Sequence, residues 1–448
     1  MISTQEAAER LSVSKSRVLE LIKNDQLKAE KVSGIWLVDE ASVNTRARTA
    51  NKKGGRPKRG SGKHEVRFML MNRTHEIAKL VYNEEKKEFT FIGEPLDSRR
   101  APLGLANNSS GTIPLIEFNA WWQNRGIPRT RNGLQHLLSD AGVLIPEELL
   151  YRNLGLSLSD QYWIKPYKSG LSWEDVNFFN NDFEQVSEKT KNLFSGEARK
   201  LHAHPNNTSD GNLSKEWIVR KGIRMLKKGG LKNNQEPFNE VVATALHKRL
   251  LSSEQYVSYE LEVTGGTPLC VCSNFLTNQE EYVPAVYVMK VAKQSAVMND
   301  FDHYVECCNQ LGVPNIKESL ERMIVCDDIM ANTDRHWRNF GIVRNVETLE
   351  CKPAPLFDTG TSLWCDTDLQ LLKKGEFSFA SKQFETSPAR QMLLVEDMSW
   401  FNVNNMEGFV DEALEILAEN QQIEARLPYI RTALERRVAR MINIVEWS

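Results

Sequence analysis

The chain has 448 residues, 41% hydrophobic and 26% charged, enough for two or three globular domains with sizeable cores. No apolar run reaches membrane-spanning length, the N-terminus lacks a basic start followed by an apolar stretch, and the seven cysteines follow neither a zinc nor a disulfide spacing. A cytoplasmic protein with reduced thiols and no membrane partner is expected, and the net charge of −2 excludes a uniformly basic nucleic-acid binder.

The charge is unevenly distributed. Residues 1–63 carry 14 Lys or Arg against 7 Asp or Glu, a net of +7 that leaves −9 for the remainder. An anionic partner is therefore expected for the N-terminal segment alone. Ser3-Thr4-Gln5-Glu6 is a capping box, predicting a helix from near Thr4 with Ala7, Ala8 and Leu11 on its apolar face. Ser12-Val13 makes a turn, and Ser14 caps a second helix that buries Val18, Leu21 and Ile22. Lys15, Ser16 and Arg17 stay exposed in its first turn, where a recognition helix contacts base edges. Leu27 to Val32 and Ile35 to Val38 read as two short strands around Ser33-Gly34. The pattern over residues 1–45 resembles the winged helix-turn-helix of excisionase and MerR type, which implies DNA binding; the competing reading is a small docking module. Residues 46–63 are polar, basic and Gly-rich, a linker. Gly55-Arg56-Pro57 within it fits an AT-hook with Arg56 in a narrow minor groove, or equally a basic tether contacting phosphates.

From Glu65 to Ile92 the alternation predicts strands with a turn at 83–87, followed by helices within 116–138 and 143–154. Trp121 and Trp122 read as core residues. Trp217 to Arg220 and Ile223 to Lys228 form a hairpin around Lys221-Gly222. Before it lies a loop, 206–212, in which Ser209 and Gly211 let backbone N–H groups approach phosphates. Lys228 ends the second strand and could neutralise nucleotide phosphates; its neighbour Lys227 competes, since only one of the two faces the cleft. Pro237 opens an amphipathic helix with Val241, Ala245 and Leu246 inward, and Glu240 at its start could pair with Lys228 or serve the helix dipole. Strands at 259–263 and 269–276 follow, the second ending in Asn274-Phe275-Leu276, a candidate hinge whose backbone reads adenine.

The most informative stretch is Asn332-Thr333-Asp334-Arg335-His336-Trp337-Arg338-Asn339-Phe340-Gly341, after a buried helix predicted at 317–331. A strand at 340–343 and a partner at 354–357 then lead to Asp358-Thr359-Gly360. This constellation reads as phosphoryl transfer: Asp334 orients the accepting hydroxyl, while Asn339 and Asp358 ligate magnesium. The five-residue spacing alone carries nothing, because Asp175–Asn180 and Asp327–Asn332 share it.

Lys228, Glu240, Asn332-Thr333-Asp334-Arg335-His336-x-x-Asn339-Phe340-Gly341 and Leu356-Phe357-Asp358-Thr359-Gly360-Thr361-Ser362-Leu363, in this order, resemble HipA-like serine/threonine kinases over about residues 65–440. The resemblance implies an α+β, two-lobed protein-kinase-like fold, with an N-terminal lobe over 64–275 and a mostly helical C-terminal lobe over 276–448. It implies an ATP- and Mg2+-dependent transferase of toxin–antitoxin type. Asp334 is then the base, Asn339 and Asp358 the metal ligands, Lys228 the ATP lysine, and Asn274 and Phe275 part of the nucleotide site. It further implies autophosphorylation near Ser209 or Ser214, an antitoxin partner and a translation-related protein substrate. A DNA-binding module within the same chain departs from the family pattern, where it belongs to a separate antitoxin, and suggests self-contained regulation. A non-catalytic DNA-binding regulator using the kinase fold as nucleotide sensor or scaffold is the alternative; transfer to a lipid or small-molecule hydroxyl would use the same constellation.

Overall fold

The computed structural model describes residues 1–448 except 12, 33–34, 51–64, 106–110, 132–133, 136–137, 139–144, 191–192, 194–202, 209–212, 232 and 448. The chain forms two compact units, Met1–Glu65 and Val66–Ser448. No helix of the described residues is long and apolar enough to cross a membrane. Arg56 falls outside the described residues, as do the turn residues 12, 33 and 34.

In the first unit a short strand β1 (Ile2–Ser3) leads into helices Thr4–Leu11 and Lys15–Lys23, then strands β2 (Ala29–Val32) and β3 (Ile35–Val38) and a helix Glu40–Ala50. Ser3 accepts from Glu6 N–H at 3.1 Å and Ser14 from Arg17 N–H at 3.2 Å, the side-chain caps their positions predict. The strands lie in the order β1-β3-β2, all antiparallel. Ala7, Ala8, Val18, Leu21 and Ile22 share a core with Ile2, Leu27, Val38 and Val43. The last helix is absent from the sequence-based reading and runs past residue 45; its apolar periodicity is too weak to announce it.

Among its described residues the second unit holds three sheets. The first has the order β6-β5-β4-β7, from β4 (Glu65–Asn72), β5 (His75–Asn83), β6 (Glu88–Phe91) and β7 (Tyr162–Pro166). Helices Leu115–Gln123 and Pro146–Arg152 cover it, and Phe68, Tyr82, Phe89, Phe118, Trp122 and Tyr151 interlock in its core. The second sheet, β10-β11-β9-β8, comprises β8 (Lys215–Arg220), β9 (Ile223–Lys228), β10 (Tyr259–Thr264) and β11 (Thr267–Ser273). Lys221 and Gly222 have φ of 51° and 80°, which makes the predicted two-residue hairpin turn. Against this sheet lies helix Gln235–Leu250. It was expected to be amphipathic with Val241 inward, but nearly its whole length to His247 is buried and Val241 is only half-buried. A helix enclosed on all sides has no apolar stripe for a periodicity argument to find.

The third sheet, β12-β13-β14, pairs β12 (Glu280–Pro284) with β13 (Gly341–Asn345) and β13 with β14 (Cys351–Pro353). The expected partner strand at 354–357 is thereby corrected: the strand paired with β13 is Cys351–Pro353, Ala354 N–H still donates to Gly341 O at 3.1 Å, and Leu356 bridges Tyr256 instead. A β-carbon at Gly341 would sit 2.1 Å from the Val283 carbonyl oxygen, so only glycine lets these strands approach. The remainder is helical, with Asp300–Gln310, Ile316–Met330, Phe409–Ala418 and Leu427–Trp447 around one large apolar core. Helix Ile316–Met330 ends on Ala331 at φ 50°, one residue from its predicted end, and releases the chain into the Asn332–Gly341 segment. All seven cysteines are free thiols, six of them buried.

Candidate functional site

The alternation of β9 decides between its two lysines. Lys227 turns to the side where Glu262 accepts its ammonium at 2.7 Å, and Lys228 turns inward. There Lys228 Nζ meets Asp358 Oδ1 at 2.8 Å, Glu240 Oε1 at 3.1 Å and the Tyr259 hydroxyl at 2.9 Å. Burial works against the charge of Lys228, but Asp358 and Glu240 outweigh it and raise its pKa well above the usual lysine value. Burial also opposes charge on Asp358; the Lys228 ammonium, then Lys215 and Arg335, overcome it and hold that carboxyl well below the usual range. Glu240 is displaced upward by burial despite its contact with Lys228.

Glu240 belongs to helix Gln235–Leu250, and the same helix shapes the chain around Asp358. Glu240 Oε2 accepts from Thr359 N–H at 2.9 Å, Asn239 donates to the Gly360 and Ser362 carbonyls at 2.8 Å each, and Gln235 donates to Leu363 O at 3.0 Å. Gly360 lets this turn press on the helix: a β-carbon there would lie 3.2 Å from Glu236 O. Asp358 itself has φ +58°, a conformation that costs about 1–3 kcal/mol for a non-glycine residue and persists where its surroundings over-determine it.

Asp334 and Asn339 come from the loop after helix Ile316–Met330. Asn332 Oδ1 accepts from Asp334 N–H at 2.9 Å, and Asn339 Nδ2 donates to Asp334 O at 2.9 Å. Asp334 Oδ1 also pairs with Lys382 Nζ at 2.6 Å. Asp327 holds the loop from below, accepting from Asn332 at 2.8 Å, from Arg335 at 2.9 and 3.0 Å and from Gln383 at 2.8 Å. The Asp327–Asn332 spacing, set aside in the sequence as coincidence, is thus a direct hydrogen bond. Arg335 continues to Asn339 O and Thr359 Oγ1 at 2.8 and 3.0 Å and to the Phe357 carbonyl, tying the Asp334 loop to the Asp358 turn.

Lys228, Asp334, Asn339 and Asp358 all line one cavity of about 690 Å³, within the range of small-molecule sites. Asn274 and Phe275 line it too. Asn274 N–H donates to Arg224 O at 2.8 Å, and Phe275 stacks on Phe357 with centroids 5.5 Å apart. Trp122 is core as expected, whereas Trp121 also reaches the cavity. Ser214 lies beside Gly229, where a β-carbon would meet its Oγ at 2.3 Å; Ser209 and Gly211 fall outside the described residues. Lys15, Ser16 and Arg17 are exposed at the start of their helix, and Arg17 pairs with Glu20 at 2.5 Å.

The described residues contain no cluster of three or more His, Cys, Asp or Glu that could hold a metal. A magnesium site of amide, carboxylate and phosphate oxygens would not form such a cluster. Asn339 Oδ1 and Asp358 Oδ2 accept no hydrogen bond from the described residues, and both residues line the cavity, so the donor set fits a hard cation.

Several residues of the site escaped the sequence-based reading, among them Tyr259, Lys215, Arg335, Asp327 and Lys382. Lys215 lines the cavity and sits in register with Lys228, so strand alternation starting two residues earlier would have found it. Arg335 and Asp327 lie within the quoted segment or just before it, but nothing in spacing says that they meet. Lys382 had no signal.

No family model matches the chain, and no curated protein matches it. Among solved structures, it is similar to a chain of the Shewanella oneidensis MR-1 toxin–antitoxin system HipA, HipB and its operator DNA complex. That likeness has a TM-score of 0.52 at 13% identity and covers 84% of this chain and 97% of that one. It is also similar to the Helicobacter pylori proinflammatory kinase CtkA, with a TM-score of 0.40 at 18% identity over 52% of this chain and 95% of that one; a score that low carries no weight. The shared property is the fold: a mixed α+β architecture broadly consistent with HipA.

Replacing Arg335 or Asp327 by Ala leaves a buried charge alone, and each change is expected to cost about 3–5 kcal/mol. The double variant should cost clearly less than the sum, measured by denaturant unfolding; additivity would deny the coupling. Burial and then the Arg335 charge lower the pKa of His247 to about 3. The unfolded chain then binds a proton near pH 6.5 that the folded chain refuses until about 3, so this group's contribution is complete above 6.5 and lost as pH falls through that window. His247→Gln should flatten the acid limb of a melting-temperature-versus-pH curve.

Proposed function

We propose that the chain is an ATP- and Mg2+-dependent serine/threonine protein kinase with a HipA-like, two-lobed arrangement divided near residue 275. A winged helix-turn-helix over 1–45 and a basic linker over 46–63 supply DNA binding. The observation that carries the reading is Lys228, paired inside the cavity with both Glu240 and Asp358 while Asp334 and Asn339 line the same space.

In this reading Lys228, held charged by two carboxylates, binds nucleotide phosphates, and Lys215 adds a second cation. Asn274 and Phe275 border the base. Asn339 and Asp358 would hold magnesium, which when bound neutralises phosphate charge. Asp334, oriented through Asn332 and Asn339, accepts the proton of a protein serine or threonine hydroxyl and fixes its line of approach. Catalysis of this kind is mostly positioning and charge neutralisation, which the hydrogen-bonded loops supply without reorganisation. Ser209 or Ser214 is the candidate autophosphorylation site. A toxin-like or stress-regulatory role, a translation-related substrate and an antitoxin partner belong to the proposal; they rest on the sequence resemblance, and the fold likeness to a chain of a toxin–antitoxin complex supports the toxin-like part. On the N-terminal unit, Lys15, Ser16 and Arg17, exposed in the first turn of their helix, are the proposed base contacts, with Arg56 as a further DNA contact.

Incubation with radiolabelled ATP, magnesium and cell lysate should transfer label to a protein substrate. Asp334→Ala is expected to lower transfer by about 10²–10⁴-fold and Asp358→Ala to abolish it. Labelling unchanged in both variants would sink the assignment, and no label under any condition would favour a nucleotide-sensing scaffold. Duplex DNA should bind the whole chain with an affinity that falls steeply with salt, and removal of residues 1–63 should eliminate that binding. Undiminished binding by the shortened chain would count against the module.

A further inference from the structure

Lys382 touches Asp334, which lines the cavity, and the proposed reaction has not used it. It lies 48 residues after Asp334 in sequence, yet its ammonium sits 2.6 Å from Asp334 Oδ1. Both side chains are partly exposed, 51% and 35%, so the pair contributes little to stability. Its surroundings are nevertheless built. Ser381 and Gln383, on either side, are buried, and Ser381 N–H donates to Thr386 O at 3.0 Å. Gln383 donates at 2.8 Å to Asp327, the same carboxylate that holds Asn332 and Arg335 behind the Asp334 loop. Phe384 packs edge-on against Trp337 of that loop, centroids 5.3 Å apart. Two buried anchors therefore deliver an unburied ammonium to the acidic side chain proposed as base. Lys228, by contrast, is committed to Glu240 and Asp358 deeper in the cavity.

We propose that Lys382 is a further catalytic residue that contacts the γ-phosphoryl group of the nucleotide and carries it to the acceptor. The inference rests on the phosphotransferase reading above. In the transfer, the acceptor oxygen forms a bond to the γ-phosphorus, the bond from that phosphorus to the β,γ-bridging oxygen breaks with its electron pair leaving on ADP, and the hydroxyl proton moves to Asp334. The acceptor must lie between Asp334 and the γ-phosphorus, so a cation already touching Asp334 is within a side chain's reach of the equatorial phosphoryl oxygens. As the proton arrives, Asp334 loses the charge that held the ammonium. Lys382 is then released to the new phosphoester, so its charge passes from base to product.

The test separates the γ-phosphate from the rest of the nucleotide. Calorimetric affinities of the full chain for magnesium AMP-PNP and magnesium ADP are compared for wild type, Lys382→Ala and Lys382→Arg, with melting temperatures as the folding control. Loss of one charge-assisted hydrogen bond predicts about tenfold weaker AMP-PNP binding in Lys382→Ala with ADP changed less than about twofold, and partial recovery in Lys382→Arg. Equal losses for both nucleotides, or a loss for neither, would overturn the proposal. If wild type binds both nucleotides but transfers no label, the kinase reading falls while the affinity ratio still decides the lysine's contact. If wild type binds neither nucleotide, both fall.

Discussion

The arrangement depends first on the buried pair of Arg335 and Asp327. Arg335 is fully enclosed, and its five N–H groups make five hydrogen bonds: two to Asp327 and one each to the Asn339 carbonyl, the Phe357 carbonyl and Thr359 Oγ1. A guanidinium so placed costs several kcal/mol of desolvation and is tolerable only with every donor satisfied. That requirement brings three separate stretches together: the end of a core helix, the Asp334 loop and the Asp358 turn. Lysine could not replace it, because a point charge lacks the planar fork that reaches five acceptors at once.

A second constraint sits beside it. Lys228, Glu240 and Asp358 place two carboxylates against one ammonium out of water, with Lys215 and Arg335 adding distant positive charge. The trio links the hairpin β8–β9, the enclosed helix Gln235–Leu250 and the Asp358 turn, as the Arg335 hub links the elements on the other side of the cavity. Asp358 belongs to both systems, which accounts for its strained backbone: its surroundings leave the turn little alternative. The site is thus rigid where charge must be held, and open where Asp334 and Lys382 meet solvent.

Much of this was legible in the sequence. The helix caps at Ser3 and Ser14, the Lys221-Gly222 turn and the helix ending at Ala331 are local phenomena, governed by hydrogen bonds and dihedral preferences within a few residues, and they appear near their predicted positions. Strand alternation said that only one of Lys227 and Lys228 could face inward, and the structure shows that it is Lys228. Errors arose where local rules lose their grip. The helix bearing Glu240 is enclosed on nearly every side, so its pattern carries no stripe, and the strand expected at 354–357 is a short run that leaves β13 and bridges Tyr256 instead.

What the sequence determined by itself is the set of chemical groups and their local geometry: an amide, two carboxylates and a lysine, each on a recognisable element. Only the tertiary structure decided that they face one cavity, that Asp327 rather than chance explains its spacing to Asn332, and that Lys382 reaches Asp334. The reason is physical. Local structure is set by contacts between near neighbours along the chain, whereas the pairing of charges 48 or 130 residues apart is set by which buried surfaces fit together, and no spacing rule encodes that fit.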